Sequence, residues 1–148
     1  MKTDTPDTPA ELKARALRHL VRREHSRAEL ARKLAPHAES PKAVEAVVDL
    51  LVSKKQLSDE RFAEERARVL SRKFGGAKIR QDLKARGISD DISARVSSGP
   101  DELERAKAIL RRKYREPAKT REEDAKRARF LQGRGFSYDV IRILLRAE

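Results

Sequence analysis

The chain has no cysteine and no tryptophan. Missing thiols exclude disulfides, thiolate nucleophiles and thiolate metal sites, which suits a reducing compartment. Aromatics are scarce, four Phe and two Tyr in 148 residues, so a thin core is expected and base stacking is weakly supported. No apolar run approaches the ~20 residues that a membrane helix needs. The opening stretch MKTDTPDTPAELK lacks the apolar centre of a signal peptide; the expected location is the cytoplasm. There is no convincing strand pattern. Catalytic groupings are equally absent. Gly75-Gly76-Ala77-Lys78 has neither the spacing nor the preceding strand of a phosphate loop. His19, His25 and His37 share no helical face with acids at ligand spacing, so each reads as a solvated or partly buried side chain rather than a metal ligand. Glu122-Glu123-Asp124 falls in a helix first turn, where acids are expected electrostatically. The sequence reads as a non-enzyme with no cofactor and no metal.

What is abundant is charge. Asp, Glu, Lys and Arg make up 41% of the chain and the formal net charge is +12. A polyanionic partner is the first physical expectation, against the plainer reading of a basic, water-facing surface that serves solubility. Ala, Glu, Lys, Leu and Arg together exceed half of the residues, a composition that favours helix.

Helix signals recur along the chain. Thr8-Pro9-Ala10-Glu11 and Ser26-Arg27-Ala28-Glu29 read as capped helix starts, as does Thr120-Arg121-Glu122-Glu123. Ser40, Ser58 or Asp59, Ser89 and Ser137 are further candidate caps. Leu12, Ala16, Leu17, Leu20 and Val21 make one face of the first helix. Leu30 and Leu34 serve the second, which must stop before Pro36. Val44, Val47, Val48 and Leu51 serve the third. In the stretch 58–89, Phe62, Ala63, Ala67, Leu70 and Phe74 fall at helical spacing. Gly75-Gly76 is expected to end that helix in the left-handed conformation, and Gly87 to end the next, with Ile88 packing back on Leu83. Ile92 and Val96 belong to a sixth helix, Leu103, Ala106, Leu110 and Tyr114 to a seventh, Ala128 and Leu131 to an eighth. Val140, Ile141, Leu144 and Leu145 belong to a ninth.

These helices repeat. LKARGISDDI at Leu83–Ile92 aligns with LQGRGFSYDV at Leu131–Val140, and Ser40 holds the place of Ser89 and Ser137. In the first unit Ala38 stands where the glycine would be, and Pro36 supplies the stop. The expected fold is all-α: three tandem three-helix repeats in an elongated, curved array. Residues 1–7 are a loose N-terminus, 8–57 the first repeat, 58–98 the second and 99–148 the third.

Two basic groups are candidate contact sites. Between Arg66 and Arg86 the only acid is Asp82. Glu64 with Arg68, and Asp82 with Arg86, form acid-first pairs one turn apart that suit a solvated face. Arg72, Lys73, Arg80 and Lys84 lack an acid at that spacing, and Lys78 has only Asp82. The second group is Arg111, Arg112, Lys113 and Arg115, near a helix C-terminus, where cations also offset the dipole. Phosphate contact by these residues would be backbone-directed and blind to sequence; an acidic protein groove would suit the same charge.

The segments LSDERFAEERARVLSRKFGGAKIRQDLKARGIS and KRARFLQGRGFSYDVIRILL, with ELARKL in the first repeat, resemble the RecX regulatory proteins. The resemblance spans roughly residues 12 to 147; Ala35-Pro36-His37-Ala38 departs from the family's usual lysine-glycine turn. It implies an all-helical, non-enzymatic regulator that binds the RecA recombinase, especially its filament on single-stranded DNA. Such a regulator lodges in the filament groove and restrains filament extension, ATP hydrolysis, strand exchange and co-protease function, and with them DNA repair and the SOS response. The implied partners are the RecA filament and single-stranded, alternatively also double-stranded, DNA without sequence preference. A monomer is the default. The competing reading is a sequence-specific, helix-turn-helix-like transcription regulator, although few Asn or Gln stand where base edges would be read.

Overall fold

The computed structural model describes residues 5–99 and 101–146. Among them are nine α-helices and no strand. They are α1 (Pro9–Arg22), α2 (Arg27–Leu34), α3 (Pro41–Ser53), α4 (Asp59–Leu70), α5 (Gly76–Ala85), α6 (Asp90–Ser97), α7 (Glu102–Lys113), α8 (Arg121–Gly133) and α9 (Tyr138–Arg146). A short 3-10 turn, Ala35–His37, follows α2. The expectation of a loose stretch over residues 1–4 lies outside the described residues, as do Pro100 of the expected turn after α6 and the last two residues of the third repeat. Asp7, expected to be loose, is held: its carboxylate accepts two bonds from the Arg15 guanidinium, and its N–H donates to the His37 carbonyl at 2.8 Å.

The chain divides into two compact units, residues 1–65 with Arg86–Ile88, and Arg66–Ala85 with everything from Ser89 onward. The division falls inside α4. In the first unit α1, α2 and α3 pack pairwise. Leu12, Ala16, Leu30, Leu34, Val47, Leu51 and Leu57 form its buried core. Fully burying a leucine contributes about 1.5–3 kcal/mol. Val21, expected on the inner face, is 86% exposed, because the apolar spacing runs past the helix's contact with its neighbours. In the second unit α5 lies against α6, and α7, α8 and α9 pack pairwise around Ala106, Ile109, Leu131, Phe136 and Ile141.

Capping follows local chemistry. Thr8 and Ser26 make reciprocal boxes with Glu11 and Glu29. Ser40, Ser58, Ser89 and Ser137 each accept from an N–H three residues on. Thr120 accepts from the Glu123 N–H, but the Glu123 carboxylate turns to the Lys119 N–H at 2.6 Å, so the expected box is half made.

The end of α3 is a Schellman turn with lysine where glycine is usual. Lys55 has φ +61; its N–H donates to the Val52 carbonyl and that of Gln56 to Leu51, both at 2.9 Å. A side chain costs about 1–2 kcal/mol in this conformation, partly offset by glycine's extra unfolded-state entropy. Lys55→Gly is therefore expected to raise the unfolding free energy by about 0.5–1 kcal/mol in urea titrations; a loss of stability would contradict the turn.

His25 is 1% exposed, more buried than its sequence context indicated. Its Nδ1 lies 3.0 Å from the Arg23 carbonyl and its Nε2 2.8 Å from the Lys33 ammonium. An ammonium only donates, so Nε2 accepts and the ring is neutral, with its proton on Nδ1. Burial first, then the positive charges of Arg23 and Lys33, holds the His25 pKa below its ordinary value, against the opposing pull of the Arg23 carbonyl and Glu29. The native state thus binds fewer protons than the unfolded chain below pH ~6.5. Stability is expected to be full well above that pH and to fall as pH drops through ~6.5 toward ~5.5. His25→Gln should flatten this dependence in denaturant titrations, and a stability rising with acid would refute it.

Candidate polyanion-binding cleft

The site is built on the end of α4. A helix leaves its last carbonyls without intrahelical partners and with partial negative charge. Here the carbonyls of four successive residues in the closing turn each take a guanidinium. Arg105 Nη1 donates to Phe74 at 2.9 Å and to Ser71 at 3.4 Å. Arg112 Nη2 donates to Arg72 at 2.8 Å, and Arg134 Nη1 to Lys73 at 3.2 Å. Arg134 also lies over the Phe74 and Phe130 rings, at 5.6 and 5.1 Å from their centroids. These arginines come from α7 and from the turn after α8.

A main-chain seam holds that turn in place. The Gly75 N–H donates to the Arg134 carbonyl at 2.8 Å and the Ala77 N–H to the Gly135 carbonyl at 3.1 Å. Gly135 has φ +91 and sits in a Schellman turn, its own N–H bonded to Gln132 and that of Phe136 to Leu131. A Cβ on Gly75 would stand 2.6 Å from the Gly135 oxygen, and one on Gly135 would stand 2.6 Å from the Lys78 nitrogen. The expected left-handed stop at Gly75-Gly76 is thereby corrected. Neither has a positive φ; α4 ends earlier, at Leu70, and the missing side chains allow close approach instead. Gly87, at φ +85, does take the left-handed place expected of it.

Beside the seam lies a cleft of about 470 Å³. Arg72, Arg105, Arg111 and Arg112 line it, Ala108 and Ile109 form its apolar floor, and Ser71 closes one side. No acidic residue is among its lining. The structure thus brings one member of the first basic group, Arg72, together with two of the second, Arg111 and Arg112.

The other candidates lie elsewhere. Lys73 and Arg115 are exposed and outside the cleft lining. Lys78 is exposed, with the start of its side chain against Gly135. Arg80 Nε approaches Ser97 Oγ at 3.4 Å. Lys113 lies over the Phe130 ring at 5.2 Å. Lys84, which has no acid one turn along its own helix, bonds Asp90 at 3.1 Å, across the turn in the first turn of α6. Asp82 is held from another helix by Arg66, through a two-pronged pair at 2.9 and 3.0 Å, and Arg86 lies 3.8 Å from Glu29. Arg105 and Arg134 were not singled out in sequence. Arg105 sits among acids, beside Asp101, Glu102 and Glu104, which hides it from a search for basic runs.

Among the described residues no group of three or more His, Asp or Glu is placed to hold a metal ion. No described helix is long and apolar enough to cross a membrane.

Three family models match in series: the first three-helix domain of RecX over residues 13–51, the second over 58–96 and the third over 100–145. The chain belongs to the RecX family. Curated members similar to it include the Regulatory protein RecX of Ralstonia nicotianae, 46% identical over 92% of this chain and 87% of that protein. That of Neisseria gonorrhoeae is 41% identical over 91% and 89%. The crystal structure of RecX from Lactobacillus salivarius superposes with a TM-score of 0.83 at 21% identity, covering 94% of this chain and 95% of that one. A second RecX crystal structure gives 0.76 at 24% identity, over 92% and 72%. The all-α fold of three three-helix domains is therefore that of RecX.

Proposed function

We propose that this chain is a non-enzymatic regulator that binds the RecA recombinase filament on single-stranded DNA and restrains its extension, ATP hydrolysis, strand exchange and co-protease action. Membership of a family of regulatory proteins supports the general role. The single observation that carries the contact is the convergence of Arg72, Arg111 and Arg112 on one cleft without an acid. Guanidinium forks match phosphate and carboxylate oxygens two at a time. Restraint requires that the protein bind a stalled filament more tightly than an extending one, since equal affinity shifts nothing. The working form is a cytoplasmic monomer, with the repeats at 8–57, 58–98 and 99–148 acting as its units.

The test adds the protein to RecA, single-stranded DNA and ATP. Filament length, ATP hydrolysis and strand exchange are expected to fall; if all three hold steady, the proposal is wrong. Arg72→Ala with Arg111→Ala should lower the salt slope of single-strand binding by up to ~0.7 for each phosphate that is no longer neutralised. Inhibition abolished with DNA affinity intact would assign those arginines to the protein partner instead.

A further inference from the structure

The cleft is a shallow, open depression that gathers its cations at one place. A groove that follows a nucleic-acid backbone spreads its cations along the strand. Of the candidate cations outside the lining, Lys84 bonds Asp90 and Arg80 lies near Ser97, while Lys73, Lys78 and Arg115 are exposed. The four arginines instead face one cavity of about 470 Å³, within the size range of small-ligand sites. Two of them are fixed before any ligand arrives. Arg105 is tied to the Phe74 and Ser71 carbonyls, with its side chain only 15% exposed, and Arg112 is tied to the Arg72 carbonyl. Each is held in place by main chain, Arg105 also by Asp101 at 3.7 Å, so less ordering is needed on binding. The floor of Ala108 and Ile109 is apolar and carries no aromatic ring. It suits the sugar or base edge next to a phosphate and offers no base a stacking face.

From this we infer that the cleft takes a nucleotide phosphomonoester: a terminal phosphate attached to a nucleoside, carrying close to two charges where an internal phosphodiester carries one. Several guanidinium forks on one cavity discriminate by charge density, and the monoester offers three terminal oxygens to them. Two sources present this chemistry, the phosphorylated end of a DNA strand and a free nucleotide. The inference rests on the reading of the cleft as a polyanion site.

The experiment compares fluorescent 20-mers of thymidylate bearing either a 5′-phosphate or a 5′-hydroxyl, with thymidine 5′-monophosphate as competitor. The phosphorylated strand is expected to bind about tenfold more tightly or better. The difference should vanish in Arg72→Ala with Arg111→Ala and persist in Lys42→Ala, on the first unit. A preference for the phosphorylated end without displacement by the monophosphate assigns the site to strand ends. Displacement by the monophosphate without an end preference assigns it to free nucleotides. Equal binding of both strands with no displacement overturns the inference, as does displacement by hexaglutamate alone, which would point to an acidic protein partner. Both comparisons use the unaltered protein, so they hold even if the variant is destabilised. Inhibition of RecA on circular single-stranded DNA, which has no ends, tests the proposed function separately and can succeed where the inference fails.

Discussion

Gly135→Ala is expected to lower the unfolding free energy by about 3 kcal/mol or more, enough to consume a large part of a small protein's stability. Two costs add. The backbone stays at φ +91, where an L side chain is strained by about 1–2 kcal/mol. The new methyl would also meet the Lys78 nitrogen at 2.6 Å, and a main-chain atom cannot turn aside as a side-chain end can. Gly75→Ala should act similarly through its approach to the Gly135 oxygen, without the strain component. Gly133→Ala is the matched control two residues away. Nothing lies within 4 Å of its would-be Cβ, and it ends α8, so alanine there should be neutral or stabilise by up to about 1 kcal/mol. Urea titration of the three variants decides the matter. Equal effects at 133 and 135 would mean that the seam is not as described.

Arg105→Ala carries the second large effect, about 2–3 kcal/mol of stability together with at least about a tenfold loss of polyanion affinity. The side chain bridges the carbonyls of Ser71 and Phe74 and reaches Asp101 at 3.7 Å. Its removal leaves two acceptors at the end of α4 without that donor and takes one wall from the cleft. Arg105→Lys should recover less than half of either loss, because the lysine nitrogen stands one bond short of the Nη1 position that meets both carbonyls and has no planar fork. Unfolding measurements paired with a binding titration of a thymidylate 20-mer check both parts. Full stability in Arg105→Ala would show the bridge to be dispensable.

What could be read from sequence was short in range. The serine and threonine caps at positions 8, 26, 40, 58, 89, 120 and 137 were legible because cap and receiver stand three residues apart. The same holds for the Gly87 and Gly135 turns. Gly75-Gly76 stands out in sequence as a special position, but a sequence records that a side chain is missing, not what approaches the vacancy. At the site, Arg72 and the Arg111-Arg112 pair were visible as charge, but as separate groups, since their meeting depends on how α7 lies against the end of α4. Arg105 and Arg134 were invisible because they act on main-chain carbonyls, which every residue has and no pattern of side chains reveals. Lys84 and Asp82 found acids and bases outside their own helices, where i, i+4 counting does not look.

The seam between residues 75–77 and 134–135 is stitched from peptide groups alone. Such a joint is indifferent to lettering: substitutions can accumulate around it without loosening a single stitch, so long as two positions remain bare of a side chain. That offers a material reason why one architecture can be inherited by chains that spell it very differently.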